Sequence, residues 1–401
     1  MSFPSPDYPT YATLFAGRPK PFAFVNLDAL DFNARQVLAY SGDKRIRVGS
    51  KSVRCRHILR RILDSDPRFQ GLLCFTAPEA VWLAQQGFDD LLVAYPTIEP
   101  QHVTAVLQQI AAGSHITLMV DSLDHVRRLD ELAQAQAVDL PVCLDLDMAT
   151  RHLGGRLLFG VQRSDLRTGT AVLAVAEAIR ASGRLHLDGV MGYEAQIAGV
   201  TDDDPGGAVM NRIKRRLKRQ SIPEVAERRT AVLQALESAG FDLRFVNAGG
   251  SGSLRSSAAE SRVTEVTAGS AFYCPALFSR YAEYHYAPAA GFAIEVVRQP
   301  AAGVYTCLGG GYVASGQAGA DRLPEPYLPA GARLSKFEGA GEVQTPILYN
   351  GPEKLGLGAP IFMRHAKAGE LCERFNELML VADGRIVDTV PTYRGDGRCF
   401  L

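Results

Sequence analysis

The sequence predicts an α/β chain, a (β/α)8 TIM barrel with a C-terminal all-β domain. Between residues 45 and 269 eight short apolar or β-branched runs recur, each followed by a stretch with helical spacing. Beyond about residue 275 that rhythm gives way to short alternating runs with many glycines and prolines. The 401 residues suit one large domain or two ordinary ones. A doubly wound open sheet shares the same periodicity and stays open as the alternative.

Taken in order, FAFVNL (22–27) reads as a strand that precedes the barrel. Residues 1–27 are therefore expected to join the β domain, with DALDFNARQVLAY as the helix leading in. The barrel is expected over 28–279. Its strands are RIRVG (45–49), LLCF (72–75), DLLVA (90–94), HITLMVD (115–121), PVCLDLD (141–147), LHLDGVMG (185–192), LRFVNAG (243–249) and VTEVTAG (263–269). In TAPEAVWLAQQG, Thr76 and Glu79 stand at capping-box spacing and Gly87 supplies the stop, with Trp82 packed beneath the helix. In SLDHVRRLDELAQ, Leu123, Val126, Leu129 and Leu132 fall three apart, and Ser122 or Asp121 can cap the start. GFAIEVV, VYTCLGGGYVASG and ELMLVADGRIVD then give the β domain, 280–401.

Composition narrows the function. Lys+Arg and Asp+Glu are both 43, so a scaffold for nucleic acid or an anionic membrane is not expected. Seven cysteines at 55, 74, 143, 274, 307, 372 and 399 form no Cys-x-x-Cys pair. No signal peptide and no run long enough to span a bilayer is visible, which gives a reduced, cytoplasmic protein as the expectation.

In a barrel, chemistry is expected at the C-terminal ends of strands. Lys51 lies two residues past RIRVG, where desolvation and the neighbouring Arg47 and Arg54 would favour a reactive amine; otherwise it is a surface lysine. NAGGSGS (247–253) and TAGSAFY (267–273) follow the last two strands. There backbone N–H groups and the hydroxyls of Ser251, Ser253 and Ser270 can converge on a phosphate, whereas one glycine turn alone would be a connector. Tyr193 leaves the sixth strand beside a possible flat ring, or is a rim aromatic, and Arg151 follows the fifth. Asp145 and Asp147 alternate across one strand, which weakens a two-carboxylate glycosidase reading. The G-x-G-x-x-A match in 308–314 leads into no helix, and NRIKRRLKRQ, six basic residues between 212 and 219, reads as a solvated helix, an active-site flap or an anion attractor.

A lysine after strand one and phosphate turns after strands seven and eight resemble a pyridoxal-phosphate barrel. RVGSKSVR, FTAPEAVWLAQQGFDDLLVAYP, LDLDMATRHLG, LDGVMGYEAQIAG, VNAGGSGS, EVTAGSAFY and VPTYRGDGR are similar to the alanine-racemase-fold (fold type III) enzymes. Within them the likeness is to the D-threonine aldolase/D-serine dehydratase branch, also called amino acid deaminase/aldolase. The resemblance implies that Lys51 carries pyridoxal 5'-phosphate as a Schiff base. It implies that Gly250, Ser251, Gly252, Gly269 and Ser270 hold the phosphate, with Tyr193 and Arg151 against cofactor or substrate. It further implies a homodimer and a lyase acting on β-hydroxy-D-amino acids. Such an enzyme yields glycine plus an aldehyde by retro-aldol cleavage, or a keto acid plus ammonia by dehydration.

Two departures stand out. Val48, Gly49 and Val53 replace a Pro and two His that the branch carries around its lysine. In place of its His-x-Cys or His-x-Asp metal pair, the stretch RHAKAGELCERFNEL offers Glu370 and Cys372, with His365 five residues upstream of Glu370. His365, Glu370 and Cys372 could hold zinc or manganese. Equally, Cys372 is inert, His365 an ordinary loop residue and Glu370 an acid/base without metal. A racemase of the same fold would need a second acid/base, for which Tyr273, Tyr312 and Tyr349 are candidates; a non-catalytic cofactor carrier is the remaining alternative.

Overall fold

The computed structural model describes residues 3–152 and 154–401, so Met1, Ser2 and Leu153 lie outside the described residues. The chain divides into two compact units: Val37–Lys51, Arg60–Gly269 and Phe400–Leu401 form one, and Met1–Gln36, Ser52–Leu59 and Ser270–Cys399 the other.

After a short helix, Tyr8–Leu14, the first strand is β1 (Phe22–Asn26), which belongs to the second unit. The first unit is then built from β2 (Arg45–Gly49), β3 (Phe69–Cys74), β4 (Leu91–Val93), β5 (Ile116–Val120) and β6 (Leu140–Asp145). After a hairpin of β7 (Thr150–His152) and β8 (Leu157–Phe159) come β9 (Leu185–Gly192), β10 (Phe245–Ala248) and β11 (Glu265–Ala268). The order β10-β11-β2-β3-β4-β5-β6-β9 closes into a barrel of parallel strands, with Val48 opposite Ala268 where β11 meets β2. The eight parallel strands and their helices confirm the (β/α)8 expectation over the open sheet.

The local signals act as expected. Thr76 accepts from the Glu79 N–H at 3.3 Å, and the Glu79 carboxylate accepts from the Phe75 N–H at 2.7 Å. Of the two candidate caps for the helix Leu123–Gln136, Ser122 does the capping, while Asp121 pairs with the His125 ring. Trp82 is buried with its ring centroid 5.6 Å from that of Phe400.

Inside the barrel Leu73, Leu92, Met119, Cys143, Met191 and Phe245 form an apolar layer, one from each of six strands. Side chains alternate along a strand, so Asp121 and Asp145, two residues past Met119 and Cys143, point toward the C-terminal mouth. The basic run lies in the helix Ala208–Ser238, where it is clasped by an acidic loop. Lys214 pairs with Asp204 at 2.6 Å, Arg215 with Asp203 at 2.7 Å, and the buried Lys218 with Asp202 at 2.9 Å. That pairing makes it a clasped helix.

The second unit adds β12 (Ala290–Ala301), β13 (Val304–Leu308), β14 (Glu325–Leu328), β15 (Arg333–Leu334), β16 (Gln344–Leu348), β17 (Pro360–Arg364), β18 (Glu377–Ala382) and β19 (Arg385–Pro391). These form one sheet ordered β15-β16-β13-β12-β1-β18-β19, with β17 pairing β12 and β14. β1 therefore sits inside the sheet, antiparallel to β12 and parallel to β18. Its Phe24 packs with Tyr11, Phe15 and Phe362 at centroid distances of 5.5, 5.1 and 6.1 Å. No helix among the described residues is long and apolar enough to cross a membrane.

Candidate active site

β2 ends in a 3-10 turn, Ser50–Ser52, that carries Lys51. The turn is tied down by Ser50, whose hydroxyl donates to the Leu73 carbonyl at 3.0 Å. Lys51 Nζ donates to the Tyr95 hydroxyl at 3.2 Å and lies 5.7 Å from that ring's centroid. The Arg163 guanidinium stands 5.7 Å from the same ring. Burial raises the Tyr95 phenol, and the charges and hydrogen bonds of Lys51 and Arg163 outweigh it, leaving the phenol below its ordinary value.

The expected influence of Arg47 and Arg54 on Lys51 is corrected by their partners. Arg47, wholly buried in the barrel, donates to Glu265 Oε1 at 2.7 Å and to the Asp90 carbonyl at 2.7 Å. Arg54, in the second unit, is paired with Glu373 at 2.5 Å. Both guanidinium charges are already neutralised.

The first glycine turn follows β10. Gly249 holds φ +84°, a conformation that L side chains rarely adopt. A Cβ on Gly250 would come within 3.0 Å of both Tyr193 Cε2 and Ala198 Cβ, so the Tyr193 ring lies directly against the turn. Burial, then the Glu194 charge, push the Tyr193 hydroxyl up to about 12. Ser251 Oγ accepts from the Gly269 N–H at 3.2 Å and so joins this turn to the one after β11. Ser270 and Ser52, both in the second unit, share a hydrogen bond of 3.2 Å.

Glu194 organises the first turn. It is buried, accepts from Ser253 Oγ at 3.0 Å, from the Gly249 N–H at 3.3 Å and from the Ser257 hydroxyl, and pairs with Arg229 at 3.1 Å. Arg229 also bonds the Gly192 carbonyl at 3.0 Å and pairs with Glu260.

Asp145 is also buried at this end of the barrel. Burial, with the nearby Asp121 charge, raises its carboxyl to about 7 against the pull of Arg163. Arg151 stands exposed on the β7–β8 hairpin, opposite Leu158. The guanidinium against the Lys51–Tyr95 pair belongs to Arg163. Tyr95, Arg163, Glu194 and Asp145 were not among the sequence candidates for the site. Tyr95, just past β4, answers to the same strand-end rule that marks Lys51, whereas Arg163 lies in an irregular loop with no periodic signal.

The metal candidates all lie in the second unit. Cys372 donates its thiol proton to the Val53 carbonyl at 3.2 Å, and burial pushes that thiol well up. Glu370 Oε1 accepts from the Ser315 N–H at 2.9 Å. Burial, with Arg364 alongside, lowers the His365 imidazole to about 3, and its ring stands edge-on to Tyr273 at 6.3 Å. Among the described residues no group of three or more His, Cys, Asp or Glu is placed to hold a metal ion. Glu370 Oε2 and both His365 ring nitrogens are buried without a hydrogen-bond partner among the described residues, but the Cys372 thiol is protonated and committed to a carbonyl, so the three do not form a ready ligand set. Of the phenols a racemase would need, Tyr273 and Tyr312 are buried and raised by it, and Tyr349 accepts from the Glu353 N–H at 3.1 Å.

Comparison with known proteins gives a consistent picture. Residues 25–276 match the family "alanine racemase, N-terminal domain". The 3-hydroxy-D-aspartate aldolase of Paracoccus denitrificans (strain Pd 1222) is 24% identical over 234 residues, which are 58% of this chain and 54% of that protein. The matched stretch thus spans about half the length of this curated relative. Among solved structures, D-threonine aldolase from Filomicrobium marinum superposes with a TM-score of 0.77 at 18% identity, covering 94% of this chain and 95% of its own. D-threo-3-hydroxyaspartate dehydratase from Delftia sp. HT23 gives 0.73 at 19% identity, covering 94% and 98%.

Proposed function

The chain belongs to the family of the alanine racemase N-terminal domain, and from that membership we propose a pyridoxal-phosphate-dependent lyase of β-hydroxy-D-amino acids. The observation that carries the reading is Lys51 at the end of the first barrel strand together with glycine turns at the ends of the seventh and eighth. The fit to the cofactor rests on two features of those turns. Gly249 keeps a left-handed backbone, and the bare Gly250 lies against the Tyr193 ring, where a flat ring and an anion need open backbone rather than side chain. The likeness to an aldolase by sequence, and to an aldolase and a dehydratase by fold, supports this substrate class.

In this reading Lys51 bears the cofactor and Gly250, Ser251, Gly252, Gly269 and Ser270 receive its phosphate. When bound, pyridoxal phosphate supplies the electron sink that stabilises a carbanion at the substrate Cα. Tyr193 presents a neutral phenol and a ring face to the site, since its hydroxyl stays protonated at neutral pH. Arg163 offers a cation to an anionic substrate group, a role given from sequence to Arg151. Asp145 holds or gives up a proton near neutral pH and so suits acid/base work at the substrate hydroxyl. The reading also carries a homodimer, testable by sedimentation velocity, and a cytoplasmic location, which the seven free thiols support.

The deciding experiment is direct. Purified protein loaded with pyridoxal phosphate should show a visible absorption band that Lys51→Ala removes. It should turn over a β-hydroxy-D-amino acid, with aldehyde or with keto acid and ammonia as the product. A chain that shows no such band refutes the cofactor assignment.

A further inference from the structure

We propose that Tyr95 is the proton-holding partner of Lys51, taking the proton that the lysine ammonium must lose before its amine attacks a carbonyl, and returning it when that amine is displaced. The proposal rests on the reading of Lys51 as the cofactor-bearing residue. It starts from the 3.2 Å hydrogen bond between Lys51 Nζ and the Tyr95 hydroxyl. An ammonium is not a nucleophile, so a lysine that forms a carbon–nitrogen double bond needs an acceptor within such reach. Arg47 and Arg54, the basic neighbours in sequence, accept no proton.

The surroundings of Tyr95 suit that task. Two cations stand near its half-buried ring, Lys51 from the turn after β2 and Arg163 from the loop after β8, each 5.7 Å from the centroid. Tyr193, after β9, also senses it, stays protonated and brings no competing charge. Two cations favour phenolate, and the net result of their pull against burial is a phenol below its ordinary value. In the step, a Lys51 N–H bond breaks and a Tyr95 O–H bond forms. The electron pair stays on nitrogen, so ammonium and phenolate become amine and phenol. Opposite charges cancel and no further reactant is consumed; the phenolate is restored when Tyr95 returns its proton to the displaced amine, and Arg163 favours that phenolate by its charge.

The test begins on the full-length chain without cofactor. Phenolate absorbance near 295 nm is titrated for wild type and for Tyr95→Phe, and the difference isolates one of the 14 tyrosines. The expected difference titrates below about 10, the ordinary tyrosine value. Arg163→Gln should move it upward and Arg163→Lys should hold it. A difference at or above that value, or one that ignores Arg163→Gln, overturns the proposal. Should Tyr95→Phe melt early, wild type against Arg163→Gln still reads the same phenol. Pyridoxal phosphate is then added and growth of its visible band followed. Tyr95→Phe should reach the wild-type amplitude about 100-fold more slowly; capture at the wild-type rate overturns the role. A band that survives Lys51→Ala instead refutes the cofactor reading, and the titration result distinguishes the two failures.

Discussion

Asp145 shows how one buried carboxyl links stability to pH. Its carboxyl is raised from 3.8 to about 7 in the folded chain. Between those pH values the folded state keeps a proton that the unfolded state has released, so stability is full below the lower value and is lost as pH rises through the upper one. Each pH unit crossed costs ~1.4 kcal/mol. Asp145→Asn cannot ionise, so its urea midpoint should match wild type near about pH 4 and exceed it near about pH 8. Midpoints that run parallel across the range would show that the carboxyl is not held near neutrality. The same variant should slow turnover if Asp145 serves the substrate hydroxyl. The sequence marked Asp145 and Asp147 only as alternating carboxylates, and gave no hint that Asp145 would be raised. That follows from burial and then from Asp121, just past β5, a neighbour brought alongside by barrel closure rather than by spacing.

At the scale of elements, the glycine turn after β10 is held by Glu194 and Arg229, both buried and hydrogen-bonded. Removing Glu194 takes away one of the two carboxylates that the buried Arg229 pairs with, at a cost of up to about 3–5 kcal/mol. Glu194→Ala should lose that much in urea unfolding and also weaken pyridoxal-phosphate binding measured by fluorescence. Gly250→Ala, whose new Cβ needs only a small shift of Tyr193, should weaken binding with less loss of stability. The acidic loop 202–204 gives a parallel case. Asp202→Asn removes the carboxylate charge that pairs with the buried Lys218 and should speed tryptic cleavage within 212–219, and equal cleavage rates would argue against the clasp. The glycines were legible because glycine-rich turns at successive strand ends leave a compositional trace. The Glu194 network was not, because its members come from 192 to 260 and share no period.

For the whole molecule, the barrel was readable because each βα repeat carries its own short-range pattern, and parallel strands buried on both faces read as apolar runs. The sheet of the second unit was harder. Alternation marked its strands, but the order β15-β16-β13-β12-β1-β18-β19 joins residues hundreds of positions apart and leaves no local signature. The metal question shows the same limit, since the stretch that carries Glu370 and Cys372 departs from the branch's metal pair and its ligand geometry is something only the fold can supply. The interior position of β1 has a direct test. Deleting residues 1–26 should not trim this sheet but divide it, leaving β12 and β18 with open edges. The deletion should give insoluble chain or a lost cooperative transition, and a soluble protein with wild-type melting would contradict the assigned topology.

The place of β1 also bears on how the chain is made. The strand is made long before its partners β12 and β18, which begin at Ala290 and Glu377. During synthesis the barrel strands can pair and close, while β1 waits for about 350 further residues to be added before β18 reaches it. Any chain released early carries an apolar, β-prone segment with neither neighbour in place. Chains that stop short of β18 should therefore be sticky and short-lived, so that the sheet works as a check that translation has passed that strand.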